Sequence, residues 1–507
     1  MGSLLAAVNA ILSFITPISD FFWDFPKNFE WYREIPLLGD FSLAIIVLVG
    51  SGIYFTLSLG FIQIKYFKKG IKLLIQHKQI QSGISPLTAF FLSSAMRVGP
   101  GNIIGVTGAI ATGGPGALFW MWISAFFGMA TAYTESVLSQ LFKEKRGDVY
   151  VGGLPFYARQ LLGNKAWIGV VLSCIYILYA MFCLPAQGFN VVSSMGSIAE
   201  IFIGNSISVQ SSFYYIVSTI VIILAAVIAF GGIKRVTKAT NAMVPIMAII
   251  YILTVAFLIV TNTHRIPYFF KSVFSGAFTP EAIFGGAFGT ALVQGVKRGL
   301  MSNEAGQGTI TMAAAAADAR HPSEQGLIAA LGVFLDTHII CTMTGFIVIM
   351  GQQWNTPVWQ QSGTYPKFLL SIHAMVPGVI DSIVMGLVSL CFCLFAYTTM
   401  VGMITFSEIA ANRISSSPVF INCVRGTGVF VAAFGIFCNI AGYDLSNLWA
   451  FSDLGNIIIV YCNIPLLYIG FCYVRKTTYT YMINENRFCS KEIGIKTSCW
   501  NEEHLNT

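Results

Sequence analysis

The sequence predicts an all-α, polytopic membrane protein with about 11 transmembrane helices. Of its 507 residues, 55% are hydrophobic and only 10% are charged, whereas soluble domains carry about 25% charged residues. The apolar residues fall in runs of about 20, the length that a helix needs to cross a bilayer. The short alternating segments of a membrane β-barrel are absent from the sequence, and lipid offers no partners for open backbone. We therefore expect helices throughout.

Positive charge gathers on one side of the predicted spans and sets their topology. Lysines at positions 65, 68, 69, 72 and 78 follow the first span, and such an excess is typical of cytoplasmic loops. This predicts an N-terminus outside and a C-terminus in the cytoplasm, with Lys297 and Arg298 counted among the inner charges. The net charge of +7 therefore reflects topology and not a nucleic-acid partner. The predicted spans lie near residues 41–61, 86–111, 115–142, 166–196, 211–230, 241–261, 281–300, 324–350, 379–408, 424–442 and 446–473.

Other signals exclude several classes of protein. Residues 1–20 lack the basic cluster and the cleavage site of a signal peptide, so we expect an amphipathic surface helix there. The 11 cysteines form no CxxC pair and mostly fall in apolar runs, which indicates packing residues without disulfides. The sequence contains no convergent nucleophile, base and metal set. We predict that the chain is not an enzyme.

Two similar helix starts indicate an internal repeat. Ser85-Pro86-Leu87-Thr88-Ala89-Phe90 and Thr279-Pro280-Glu281-Ala282-Ile283-Phe284 each place a capping hydroxyl before a proline at the first helical position. Five spans separate the two starts, so the copies enter the membrane from opposite faces, as in inverted-repeat transporters. This predicts five segments: an N-terminal amphipathic segment (1–37), an extra transmembrane helix with the basic loop (38–84), two repeats (85–261 and 279–473) and a cytoplasmic tail (474–507).

The stretch Arg97-Val98-Gly99-Pro100-Gly101-Asn102 predicts a helix break inside a span. Pro100 removes a backbone donor, and the glycines on either side lower helix propensity. Free backbone at membrane depth is tolerated where it lines a cavity, and the half-helix ends then offer partial charges to a carboxylate and to a cation. A proline kink with close helix packing is the alternative. We favour a binding site, with the Asn102 side-chain oxygen available to a sodium ion.

Arg97 and Asp336 are ionisable residues in the interior of predicted spans, where charge is costly. Arg97 could bind a substrate carboxylate, although Glu135 or a helix C-terminus is the favoured partner. Asp336 is either a cation ligand or proton carrier, or else the partner of Arg97 or a lysine. The sequence leaves these last alternatives open.

Uncharged polar residues mark three other spans. Thr398 and Thr399 form a hydroxyl pair that either binds an ion or bonds back to its own helix. Gln187 and Asn190 lie three residues apart, on one helix face that could meet a polar ligand. Trp449 either borders a pocket or anchors the helix at the membrane interface.

Several stretches, in the right order across residues 38–475, resemble the alanine or glycine:cation symporter family, also called sodium:alanine symporters. This family belongs to the amino acid–polyamine–organocation superfamily. The stretches are Gly99–Val106, Gly113–Trp122, Gly295–Gly306, Asp336–Thr337 and Phe395–Thr399. The resemblance implies a leucine-transporter-like fold, a 5+5 inverted repeat preceded by one extra N-terminal helix.

The resemblance also implies roles for individual residues. One sodium site would take the carbonyls of Ala95 and Val98 with the hydroxyls of Thr398 and Thr399. A second, substrate-linked ion site would include Asn102, with Asp336 close to it. The substrate-binding set would consist of the backbone of Gly99, Pro100 and Gly101, together with Gln187, Asn190, Phe288, Gly289, Thr290 and Trp449.

The predicted function is sodium-coupled import of a small neutral amino acid, of the alanine or glycine type, by alternating access in the cell membrane. Pro100 stands where family members commonly have threonine, and Met96 stands where many have a small or polar residue, so the exact substrate stays open. A proton-coupled or uncoupled amino-acid carrier is the alternative within transport. A channel-like pore or a membrane scaffold is the alternative of another class, which the internal inverted copies disfavour.

Overall fold

Helices account for almost all of the regular structure in this computed structural model. It describes residues 9–10, 13–35, 38–76, 82–278, 287–376, 378–443, 445–485 and 488–501. The first helices are α1 (Ile15–Asp24), α2 (Glu30–Arg33), α3 (Leu43–Ser58), α4 (Ile62–Lys65), α5 (Phe67–Ile75), α6 (Pro86–Arg97), α7 (Ile104–Gly113), α8 (Gly116–Leu141), α9 (Leu154–Leu161), α10 (Ala166–Ile203) and α11 (Ser212–Ala229).

The second half of the chain continues in the same way. Its helices are α12 (Gly232–Thr261), α13 (Ile266–Phe278), α14 (Ala287–Asn303), α15 (Thr311–Ala316), α16 (Pro322–Val333), α17 (Thr342–Met350), α18 (Pro357–Gln361), α19 (Thr364–His373), α20 (Val379–Ala411), α21 (Pro418–Ala441) and α22 (Leu445–Ile483). A π-helical segment, Phe334–Cys341, joins α16 to α17. Strands β1 (Glu144–Arg146) and β2 (Val149–Val151) form an antiparallel hairpin.

Among the described residues, eight helices are long and apolar enough to cross a membrane. Their outward faces carry large apolar side chains at helical spacing. On α11, for example, Ile216, Ile220, Ile223 and Val227 are each at least half exposed. Such stripes suit lipid rather than water. The polytopic all-α prediction is confirmed, while the total of 11 spans stays a prediction.

The second predicted span is a broken helix. Ser85 caps α6, because its Oγ accepts a hydrogen bond from the Thr88 amide at 3.0 Å, and Pro86 occupies the first helical position. The helix stops at Arg97, continues through a 3-10 turn, Pro100–Asn102, and resumes as α7. The glycines and proline therefore interrupt the span where the sequence predicts.

A second break lies between α14 and α15, at residues 304–310. The matching helix start at 279–284 lies outside the described residues. Lys297 and Arg298, which the sequence assigned to an inner segment, lie within α14 instead. They are kept there by Asp453 of α22, whose carboxylate oxygens lie 3.0 Å from Lys297 Nζ and 3.1 Å from Arg298 Nη1. Burial of charge in a span is tolerable when it is paired in this way.

Several helices run longer than the apolar runs indicate. Helix α10 continues to Ile203 and ends where Gly204 adopts a left-handed conformation, with φ of 77°, which favours glycine. Helix α22 continues to Ile483, beyond the predicted end of the span. Polar residues such as Arg475 and Lys476 end the apolar run but not the helix, because helix formation needs no apolar side chain.

The C-terminal residues pack against the end of α8. Trp500 Nε1 donates a hydrogen bond to the Gln140 carbonyl at 2.7 Å, and the Ser498 hydroxyl donates to the Lys143 carbonyl at 2.8 Å. The Lys143 ammonium donates to the Ala317 carbonyl at 2.9 Å and lies over the Tyr150 ring. Burial lowers the pKa of Lys143 to about 8. The described residues 488–501 of the predicted tail thus cover this end of the helices.

Candidate functional site

The two helix breaks lie against each other. A Cβ atom at Gly101 would lie 3.4 Å from the Met301 carbonyl oxygen and 3.6 Å from the Ser302 Cα. The backbone of the first break therefore passes directly beside the last turn of α14. The C-terminal ends of α6 and α14 also lie close together, because Arg97 Nε donates to the Asn303 carbonyl.

A side chain within the first break satisfies its backbone. Asn102 Oδ1 accepts a hydrogen bond from the Gly99 amide at 2.8 Å. Pro100, which has no amide hydrogen, begins the 3-10 turn. Gly99 faces α20, and a Cβ atom there would lie 2.6 Å from the Thr399 hydroxyl oxygen. The break is therefore closed around a position where only glycine fits.

Of the predicted first sodium set, Ala95 and Thr399 meet. The Thr399 hydroxyl lies 3.0 Å from the Ala95 carbonyl oxygen and 2.8 Å from the Phe395 carbonyl oxygen. Because a hydroxyl has one proton, it can satisfy one of these carbonyls at a time. Val98, the third predicted ligand residue, is buried and comes directly after the last residue of α6. Oxygen atoms of this kind are suitable ligands for a hard cation.

Thr398 is not brought to the break. Its hydroxyl donates to the carbonyl of Leu394 at 2.9 Å, and the sulfur of Met247 lies 3.8 Å away on another helix. Neighbouring residues on an α-helix point about 100° apart, so Thr398 and Thr399 face different surroundings. The side chain of Thr398 bonds back to its own helix, the alternative that the sequence left open.

Asn102 and Asp336, both predicted for the second ion site, are in direct contact. Asn102 Nδ2 donates to Asp336 Oδ1 at 2.6 Å, while the hydroxyls of Ser302 and Thr337 donate to Oδ2 at 2.8 and 2.9 Å. No ion pair reaches Asp336 from the part of the chain that the structure describes. The carboxylate therefore links the first break, the end of α14 and the π-helical segment. Short π-helical segments are frequent at functional sites.

A cavity opens beside the first break, between α10, α20 and α22. It is lined by five of the nine residues predicted to bind the substrate: Gly99, Pro100, Gly101, Gln187 and Trp449. Thr399 also lines it. The remaining lining residues are Met96, Arg97, Tyr179, Cys183, Met301, Glu304, Met403, Ser452 and Asn456.

Polar atoms around this cavity lack partners. Gln187 Oε1, an acceptor, and Trp449 Nε1, a donor, are buried and make no hydrogen bond within the described residues. Leaving a buried polar group unpaired costs about 1–3 kcal/mol each. Groups of this kind, facing one cavity at a helix break, indicate a site for a small polar ligand.

Some predicted substrate residues lie elsewhere. Phe288, Gly289 and Thr290 lie in the first turn of α14, which reaches the cavity only at its other end, near Met301. They precede Met301 by 11 to 13 residues, which is roughly 16–20 Å along the helix at 1.5 Å per residue. Thr290 is also exposed. Their assignment to the site stays a prediction, which their position on α14 does not favour because the second break comes after Asn303. Asn190 is buried on α10, with Nδ2 unpaired among the described residues, but does not line the cavity.

Arg97 is held at the C-terminus of a helix, the favoured alternative from the sequence. Its Nε donates to the Asn303 carbonyl at 3.1 Å, at the end of α14. Its two Nη atoms are buried and unpaired within the described residues. The guanidinium fits only because position 332 is glycine, where a side chain would collide with Nη1. No ion pair with Glu135 forms.

Glu304 is a site residue that its sequence position did not indicate, although it lies in the Gly295–Gly306 stretch. Glu304 lines the cavity, immediately after α14, and has a φ of 57°. Residues other than glycine rarely adopt this left-handed conformation, and strained backbone of this kind clusters at functional sites. Nothing in the local sequence marks this backbone geometry.

The family comparison agrees with this architecture. The model of the sodium:alanine symporter family matches residues 33–492. The chain belongs to this family. As a member of the sodium:alanine symporter family, it is a transporter and not an enzyme.

Individual relatives and a solved structure extend this result. The chain is 34% identical over 442 residues to the amino-acid carrier protein AlsT of Bacillus subtilis, covering 87% of this chain and 88% of AlsT. It is 36% identical over 372 residues to the sodium/alanine symporter AgcS of Methanococcus maripaludis, covering 72% and 79%. It is 34% identical over 433 residues to GlnT of Bacillus subtilis, a probable sodium/glutamine symporter, covering 84% and 85%.

The fold is similar to that of MhsT, solved in complex with L-phenylalanine. The TM-score is 0.58 at 12% identity, over 78% of this chain and 91% of MhsT. This confirms the leucine-transporter-like fold of this sodium:alanine symporter family member, while the inverted repeat itself stays a prediction. Membership and the apolar helices together make the chain a multi-pass membrane protein that transports amino acids.

Proposed function

We propose that the chain is a sodium-coupled symporter that imports a small neutral amino acid by alternating access. The observation that carries this proposal is the cavity beside the first helix break, where Gln187 Oε1 and Trp449 Nε1 are buried without partners among the described residues. An amino acid supplies hydrogen-bond donors and acceptors for such groups. Its carboxylate would bind at the Gly99–Gly101 backbone, next to the N-terminal end of α7, where the helix dipole favours negative charge.

Sodium as the coupling ion is supported by the oxygen atoms at the end of α6. Ala95 and Thr399 bring a carbonyl and a hydroxyl within 3.0 Å of each other. An ion bound there would contact both the broken helix and α20. If sodium binds more tightly to one arrangement of α6 and α20, it shifts the transporter toward that conformation. In this way the sodium gradient would drive uptake of the amino acid.

A small substrate is supported by the side chains that crowd the cavity. Met96, Met301 and Met403 line it with Pro100, so bulky solutes would meet apolar side chains close to the break. Alanine and glycine are the first candidates. Methionine is flexible and repacks easily, so a somewhat larger neutral amino acid remains compatible with the same wall.

The orientation is part of the proposal. The lysines after α3 and the C-terminal segment would face the cytoplasm, and residues preceding α3 would face outside. The two repeats, 85–261 and 279–473, would move relative to each other around the paired breaks.

Proton coupling is the second candidate, because a relative in Bacillus subtilis is named a putative sodium/proton-dependent alanine carrier. Glu135 is a fully buried carboxyl whose Oε1 has no hydrogen bond from the described residues, and it could carry such a proton. Asp336, whose two oxygens accept three hydrogen bonds, is less suited to this role.

The deciding experiment is uptake of radiolabelled L-alanine and glycine into proteoliposomes, under an inward sodium gradient or with choline replacing sodium. Uptake that requires sodium supports the proposal. Uptake driven equally by an inward proton gradient in choline supports the second candidate. Saturation by the solute separates both from a channel-like pore, and absence of flux under every gradient would refute transport of these solutes.

A further inference from the structure

The buried charges around the two helix breaks do not balance. Three carboxylates, Glu135, Glu304 and Asp336, and one guanidinium, Arg97, are each at most 3% exposed. Within the described residues, Arg97 is the cation close enough to attract all three carboxylates. Three carboxyl groups can ionise beside one guanidinium, and each negative charge in excess is costly in a region that excludes water. A positively charged ligand would relieve this cost.

The three carboxylates differ in how well the protein satisfies them. Asp336 accepts three hydrogen bonds from side chains. Glu135 accepts from the Gly308 amide and from Asn463 Nδ2, each at 3.0 Å, and does not line the cavity. Glu304 accepts a single hydrogen bond in the described chain, from the Thr309 hydroxyl to Oε2 at 2.7 Å, and it does line the cavity.

The position of Glu304 favours a cation further. It follows the last residue of α14, and the C-terminal end of α6 lies beside it across the paired breaks. Helix C-termini carry partial negative charge and unpaired carbonyls. The left-handed backbone of Glu304 turns the chain back at this point, while Thr309 fixes one carboxylate oxygen and leaves the other without a partner in the described residues.

We propose that the Glu304 carboxylate binds the ammonium group of the amino-acid substrate, an inference that rests on the proposed function. The substrate then lies with its carboxylate at the Gly99–Gly101 backbone and its ammonium at Glu304, so the two breaks hold opposite ends of one zwitterion. An ammonium group offers three directional donors, which suits one carboxylate oxygen and the carbonyls at two helix ends. The oxygen atoms that we propose as sodium ligands belong to Ala95 and Thr399 and are distinct from the Glu304 carboxylate.

The test compares L-alanine with L-lactate, which has a hydroxyl in place of the ammonium group. Wild-type protein in proteoliposomes is assayed for sodium-driven alanine uptake and for inhibition of that uptake by lactate. Glu304→Gln should raise the KM for alanine about 30-fold or more, the effect of losing one partner of a buried charge pair. It should narrow the preference for alanine over lactate, while the sodium concentration for half-maximal uptake stays unchanged.

Glu408→Gln is the control, since it makes the same change in a buried carboxyl outside the cavity, where Glu408 is paired with Arg425. It should keep the preference for alanine over lactate. If Glu304→Gln leaves the alanine KM unchanged, or raises the sodium requirement instead, the ammonium assignment is overturned. If wild-type protein takes up no alanine, the proposed function fails, and this result is distinct from a failure of the inference.

A second variant keeps the test decisive if Glu304→Gln does not fold. Thr309→Val retains the carboxylate but removes the hydrogen bond that orients it. We expect a severalfold higher alanine KM with unchanged sodium dependence. Thr309→Val protein that takes up alanine with the wild-type KM would contradict the proposal.

Discussion

The hydroxyl of Thr399 lies 3.0 Å from the carbonyl oxygen of Ala95, a residue 304 positions earlier in the chain. The contact joins the end of α6 to the middle of α20, at the point where the first of these helices stops. The Ala95 carbonyl lies near the end of a broken helix, and a hydroxyl beside it is well placed to share an ion with it.

Thr399→Ala should therefore weaken sodium coupling. Removal of one oxygen ligand should raise the sodium concentration for half-maximal alanine uptake roughly tenfold, which corresponds to about 1.4 kcal/mol. Thr405→Ala is the control, because Thr405 is buried on the same helix and bonds only to the Val401 carbonyl in the described structure. Equal sodium dependence of the two variants would remove Thr399 from the ion site.

Gly99→Ala should abolish transport without preventing membrane insertion. The new methyl group would lie 2.6 Å from the Thr399 hydroxyl oxygen, so the break would have to open. Gly105→Ala, whose methyl group would lie 3.9 Å from the Arg298 carbonyl oxygen, should be tolerated. Uptake assays combined with size-exclusion profiles of the two variants check this difference. Wild-type uptake by Gly99→Ala protein would show that the break is not tightly closed.

Asp336→Asn should destabilise the protein. An amide has one acceptor oxygen, so at least one of the donors on Asn102, Ser302 and Thr337 loses its partner, at a cost of about 1–3 kcal/mol. The melting temperature of the detergent-solubilised protein should fall, with and without sodium. A variant as stable as wild type would mean that these donors find other acceptors.

The buried lysine beneath the C-terminal cover predicts a pH effect. Because burial lowers the pKa of Lys143 to about 8 from 10.5, the unfolded state binds more protons than the folded state between these values. Stability should therefore rise as the pH increases from about 8 to about 10.5. Lys143→Met should reduce this rise, which can be measured as the difference in melting temperature across that range. A rise of equal size in both proteins would assign it to other groups.

Local sequence signals were sufficient for the first break but not for the second. Ser85 and Pro86 begin α6, and the Gly-Pro-Gly stretch ends it, because capping and proline sterics act within a few residues. The contact of Asn102 with Asp336 followed from the family resemblance. In the second half, glycines occur both around residue 289 and at 306 and 308, so composition alone did not locate the break.

The remaining differences depend on contacts that are distant in sequence. Their sequence positions make Lys297 and Arg298 inner charges, yet in the fold both pair with the carboxylate of Asp453. Likewise, the role of Glu304 depends on a left-handed backbone that neighbouring residues do not encode. A charged residue in a span can be interpreted only when its partner is known, and the partner here lies about 150 residues away.

The covering of α8 by the C-terminal residues has a consequence for biosynthesis. Trp500 contacts Gln140 across 360 positions, and chains are made from the N-terminus onward. The end of α8 therefore stays uncovered until almost the whole polypeptide has been translated and inserted. A chain truncated shortly before Trp500 would contain all of its long helices but would expose the surface around Lys143. Membrane proteases could use this exposed surface to distinguish truncated molecules from complete ones.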